Sequence, residues 1–133
     1  MSEAKTLVRK FFDNFQDIDY ITSILAEDAT LFVNGQIPGC GLMVGRQAIL
    51  DQWFGVIKEN LKMDTITMEF KRVFEDKNTV IVESASKSFT KDGRPYNNTY
   101  TFFFEIEGNQ IKAFREYPDT EYASRVLFPT SDV

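Results

Sequence analysis

The sequence predicts an α+β fold in which helices come first and an antiparallel sheet follows. Two observations carry that expectation. Apolar residues recur at helical spacing through the first half of the chain, and from residue 64 onward they alternate at the two-residue period of strands. The connections after residue 64 are short and rich in turn-forming residues, so the last four strands are expected to be hairpin neighbours.

The first helix is expected in SEAKTLVRKFFDNF. There Leu7, Val8, Phe11, Phe12 and Phe15 fall on one face, with Ser2 as N-cap. A shorter stripe of Ile21, Ile24 and Leu25 follows in DIDYITSILAED, started by Asp17 or Asp19. TLFV reads as a short strand, and NGQIPGCG as a loop by its glycines and proline. The third helix, GRQAILDQWFGVIKENL, places Ile49, Leu50, Trp53, Phe54 and Ile57 together. Gly55 inside it costs roughly 1 kcal/mol relative to alanine, which points to close packing there. Both longer stripes read as core packing against a sheet. Four strands follow, TITMEFKRVF, TVIVESASKSF, YNNTYTFFFEIE and IKAFREY, separated by EDKN, TKDGRP and EGNQ. YTFFFEI is apolar on both faces, so both are expected to be covered, one by helices and the other by a second subunit.

At 133 residues and 43% hydrophobic, the chain suits a single domain over residues 1–133 with a substantial core. A net charge of -5 without a Lys/Arg cluster argues against nucleic acid as a partner. The absence of histidine removes His-based triads and His-ligated metals, and with one cysteine, Cys40, no metal site is expected. Proton chemistry then falls to carboxylates, tyrosines, lysines or water. The N-terminus lacks an apolar signal core and no apolar run reaches membrane-spanning length, so a cytoplasmic location without a membrane partner is expected.

Two segments, AEDATLFVNGQIPGCGLMVGRQAI and GRPYNNTYTFFFEIEGNQIKAFREYPDT, together resemble the SnoaL-like polyketide cyclases. That group belongs to the nuclear-transport-factor-2-like superfamily, with the ketosteroid isomerases and limonene epoxide hydrolases. The resemblance spans nearly the whole chain. It implies a cone-shaped, curved antiparallel sheet packed on three N-terminal helices, usually dimeric, with a ligand pocket inside. In relatives the residue between the arginine and the aromatic of an R-[DE]-[YF] motif often lines the pocket as a catalytic carboxylate, and here that residue is Glu116. By the family's orientation Asn98, Tyr100, Phe102 and Phe104 face inward, and alternation puts Phe114 and Lys112 on Glu116's face, with Arg115 and Tyr117 opposite. The epoxide hydrolases' Arg-x-Asp pair falls on Glu83 and Ala85, and their Tyr-x-Asn pair on Leu31 and Val33. Epoxide hydrolysis is therefore not expected.

Read without the family, Glu116 has two meanings. It is either a solvated charge late in a strand or a carboxyl held out of water, with a pKa raised toward neutrality and able to move a proton at cellular pH. The alternating faces of IKAFREY are both mixed and do not decide. Glu83, if inward, would be a second carboxylate in the same space; otherwise it pairs with Lys87 or Arg115. Tyr100 either donates to a developing enolate oxygen or only satisfies Asn98 or Glu116. Trp53 belongs to the core or to a pocket ceiling. Asp119 is expected to bond neighbouring backbone, Arg46 to be tied to an acidic partner, and Cys40 to be an inert thiol. The expectation is a homodimer through the sheet that acts on a hydrophobic carbonyl compound as an isomerase, cyclase or condensing enzyme. Glu116 is its acid/base, Asn98, Tyr100, Phe114, Glu83 and Trp53 surround the substrate, and no metal or organic cofactor is required. A non-catalytic ligand-binding or dimerisation module of the same fold is the alternative.

Overall fold

The computed structural model describes residues 2–129. The helical layer comprises α1 (Glu3–Asp13), α2 (Ile18–Ile24) and α3 (Arg46–Ala48), the last continuing through a π-helical turn (Ile49–Trp53) into α4 (Phe54–Asn60). The strands are β1 (Leu25–Val33), β2 (Gly41–Val44), β3 (Thr67–Asp76), β4 (Thr79–Phe89), β5 (Pro95–Tyr96), β6 (Thr99–Glu107) and β7 (Gln110–Pro118), followed by α5 (Thr120–Leu127). Helix starts follow side-chain chemistry. The side chains of Ser2, Asp17 and Asp119 accept from the backbone N–H of Lys5, Tyr20 and Tyr122, which have no partner within their own helices.

The sheet is curved and unclosed, with strand order β2-β1-β7-β6-β4-β3 and β5 paired to β4. The β3–β4, β4–β6 and β6–β7 pairs are antiparallel, as the short turns require. β1 lies parallel to β7, so the sheet is mixed rather than purely antiparallel. Parallel neighbours need a long crossover, and nearly the whole intervening chain supplies it. Two more elements differ from expectation. GLMV pairs with β1 as an edge strand, and α5 adds a C-terminal helix to the three regions foreseen.

The inward faces of the strands show where the core ends. Along β4 they run Val80, Val82, Ser84, Ser86, Ser88, and along β6 Phe104, Phe102, Tyr100. Register aligns the two changes, because Val82 faces Phe102 and Ser84 faces Tyr100. At the apolar end Phe11 of α1 meets Phe104 and Phe114 edge-on, at ring separations of 5.3 and 5.7 Å. Phe104 and Phe114 stack at 5.5 Å. Each such ring contributes about 1.5–3 kcal/mol by burial. At the other end hydroxyls replace hydrocarbon, and the layer opens.

Two packing expectations are corrected. A Cβ built on Gly55 meets nothing within 4 Å, so close approach does not account for that glycine. Arg46 donates to the Leu25 carbonyl at 3.3 Å, not to an acidic side chain, because it caps the end of α2. Among the described residues no helix is long and apolar enough to cross a membrane.

Candidate functional site

The open end encloses a cavity of about 100 Å3. Its apolar lining includes Val33, Ile37, Val56, Ile57, Leu61 and Met68, together with Cys40, Leu127 and Phe128. Glu116 lies between Val33 on β1 and Phe102 on β6 by strand register. Both neighbours are buried and point inward, and so does the carboxyl, which is 8% exposed.

Glu116 Oε1 accepts a hydrogen bond from Trp53 Nε1 at 3.0 Å. Among the described residues no sealed side-chain oxygen lacks a partner. Oε2 has none, so it opens onto the cavity that Glu116 lines. Loss of hydration pushes the carboxyl pKa up to about 7, and the indole N–H, which favours the charged form, opposes part of that rise. The indole is itself clamped. The π-helical turn, closed by the Phe54 N–H bonding back to Ile49, delivers Trp53 toward β7. Phe15, Phe54 and Phe114 then surround it at ring separations of 4.8–5.6 Å.

Hydroxyls form the polar wall. Tyr100 OH and Ser86 Oγ are 2.8 Å apart. Burial pushes the Tyr96 phenol up to about 12 and Tyr100 well above the usual phenol range, so both remain neutral donors. Tyr100 pairs with Pro118, two residues along from the Phe102–Glu116 pair. It is therefore a diagonal neighbour of Glu116, a spacing of roughly 7–8 Å between backbones.

Of the expected site residues, Glu116, Trp53 and Tyr100 line the cavity. The other three do not. Phe114 is 1% exposed and stands behind the lining, stacked on Phe104 with its edge to Trp53. The amide of Asn98 is taken by Tyr96 OH at 2.7 Å and the Asp119 carbonyl at 3.2 Å, so it orders the polar wall from outside. Glu83 sits on the opposite face of the sheet in an ion pair with Arg72, since β4 turns its even-numbered residues inward. Lys87 and Arg115 are not its partners, and Arg115 pairs with Glu105. The hydroxyl-bearing lining residues not foreseen are Ser86, Ser88 and Tyr96. The alternating serines of SASKSF carried that signal, because hydroxyls on an inward face need a polar space. Cys40 lines the cavity, where burial, and more weakly the Glu116 charge, pushes the thiol up, as an inert cysteine requires. Among the described residues no group of three His, Cys, Asp or Glu side chains could hold a metal.

Comparison with known proteins agrees with the fold. The family model for the SnoaL-like domain matches residues 8–114. An NTF2-like protein of unknown function from Burkholderia pseudomallei superposes with a TM-score of 0.83 at 15% identity, over 96% of this chain and 99% of its own. A Bacillus subtilis protein provisionally described as an isomerase gives 0.82 at 21% identity, over 98% of each chain. A Jannaschia protein provisionally described as a SnoaL-like polyketide cyclase gives 0.78 at 12%, over 94% and 91%. No curated protein matches the chain. At these identities the structural likeness is one of fold alone, but the family match covers most of the sequence, and the chain belongs to the SnoaL-like domain family.

Proposed function

We propose that this protein is an isomerase or cyclase for a small hydrophobic carbonyl compound, with Glu116 as general acid/base. One observation carries the reading: a carboxyl buried in an apolar cavity, steadied on one oxygen by Trp53 and open on the other. In the ionised form Oε2 takes a proton from the carbon beside the carbonyl. Charge developing on the carbonyl oxygen is met by the Tyr100 hydroxyl, a neutral donor on the adjoining strand. The protonated carboxyl then returns the proton to another carbon of the same skeleton. A group titrating near 7 can do both at cellular pH. An engineered cavity of about 150 Å3 holds benzene, so about 100 Å3 suits a skeleton of a few carbons.

The test is hydrogen–deuterium exchange at the α-carbon of small ketones, followed by NMR. Glu116→Gln removes the base and is expected to slow exchange by about 10²–10⁴-fold while leaving ketone binding in place. Exchange at an undiminished rate contradicts the assignment. Binding without any exchange favours the non-catalytic module, whose basis is the same cavity.

We also propose that a second copy of the chain covers the outer face of the sheet. Leu42 and Val44 are each 66% exposed there, next to an aromatic group in which Tyr117 meets Phe32 and Phe103. Sedimentation is expected to give a dimer, and Phe103→Glu a monomer. A monomeric parent chain contradicts this.

A further inference from the structure

Among the described residues Glu116 is the one carboxylate in the cavity lining, and no lysine or arginine lines it. The groups facing it from the surrounding elements are the neutral Cys40 thiol of the β1–β2 loop, the Tyr96 and Tyr100 phenols of β5 and β6, and the Trp53 N–H. Arg46 donates to the Leu25 carbonyl, and Arg94 to Asp92 and the Val126 carbonyl. Among the described residues the ionised form of Glu116 is therefore a desolvated negative charge with one neutral hydrogen bond and no counter-ion.

We infer that this cavity takes a small organic ammonium ion as a ligand and refuses a carboxylate of the same shape. Stripping Glu116 of water is already borne by the empty protein, so an entering ammonium gains the attraction without that part of the usual cost of burying an ion pair. Oε2 offers an N–H group an unused acceptor. Aromatic side chains of Phe15, Trp53, Tyr96, Tyr100 and Phe102 line the same space, and ring faces attract cations and not anions. A carboxylate ligand would set a second negative charge beside the first with nothing to balance either, in a protein whose net charge of -5 already repels it. The inference requires no turnover. A carbonyl substrate, where one is used, would be displaced by the amine.

Isothermal titration with isobutylamine, isobutanol and isobutyrate tests this on the unaltered chain, because the three share a branched skeleton and differ in charge. At pH 8.5 Glu116 is ionised, and an alkylamine, with a pKa near the lysine value of about 10.4, is protonated. The amine is then expected to bind at least tenfold more tightly than the alcohol, with no detectable binding of isobutyrate. At pH 5.5 the carboxyl is neutral and amine affinity falls at least tenfold, while that of the alcohol holds. Glu116→Gln is expected to abolish the amine's advantage and keep alcohol binding. An amine that binds no better than the alcohol at pH 8.5, an advantage that survives at pH 5.5 or in Glu116→Gln, or isobutyrate bound as well as isobutanol overturns the inference. Loss of α-proton exchange alone leaves it standing and removes only the proposed reaction.

Discussion

Replacing Glu116 by glutamine changes the pH dependence of stability in a direction that the burial dictates. The folded carboxyl has its pKa raised from 4.5 to about 7, so between those values the folded chain holds a proton that the unfolded chain has released. Stability from this group is therefore full below about pH 4.5, falls as pH rises through 7, and is level above. Integrating from pH 5 to pH 8 gives a loss of roughly 2–3 kcal/mol, or roughly 8–10 °C in Tm for a chain of this length. Glutamine has nearly the same shape, keeps an oxygen for the Trp53 N–H, and does not titrate. Thermal melts of both proteins across this range are expected to converge or cross, with the variant gaining on the parent by that amount as pH rises. Asp28, Asp92, Glu105 and Glu121, whose pKa values are lowered by their partners, lose their contributions only below the ordinary carboxylate range and do not enter this window. Parallel curves from pH 5 to pH 8 would refute the reasoning.

Three further changes address separate parts of the structure. Trp53→Phe removes the only hydrogen bond among the described residues that favours ionised Glu116, so the carboxyl is expected to titrate about 1–2 units higher by carbon-detected NMR, since a bond to a charged group is worth about 1.5–3 kcal/mol; an unmoved titration contradicts the bond. Gly55→Ala meets no atom within 4 Å in mid-helix and is expected to stabilise by about 0.5–1 kcal/mol in urea unfolding, whereas destabilisation would mean that the site is tighter than described. Asp119→Ala removes the α5 cap and is expected to cost about 1 kcal/mol, with faster amide exchange confined to α5 and the Asn98 region it meets; uniform loss across the sheet contradicts a local cap.

The helical stripes and the hairpin run were legible because each rests on local periodicity. The β1–β7 pair was not, because a parallel contact between chain-distant strands leaves no local pattern. α5 did have one: an Asp119 cap, buried Ala123 and Val126, and a Glu121–Arg125 pair one turn apart. At the site, counting alternate residues along IKAFREY failed for a physical reason. Glu105 faces Ala113 and Ile106 faces Ile111, so Lys112 is a bulge that reverses the inward parity, and it leaves the sheet to pair with Asp28. Ile111, Phe114 and Glu116 are consequently all buried, and only the family resemblance singled out the last. Asn98 has the inward parity expected of it, yet the unforeseen start of α5 claims its amide. Glu83 lies at the outward parity of β4, opposite Arg72, whose place across the strand depends on a register shift between Phe70 and Arg72.

Direct titration of the Glu116 carboxyl is the sharpest test of a charge held from water at a cavity wall. With carboxyl-carbon-labelled glutamate, and Glu116→Gln to assign the resonance, NMR is expected to show one glutamate titrating near pH 7 in the ligand-free protein. A Glu116 resonance that titrates near 4.5 would place that group in ordinary contact with solvent and contradict the account.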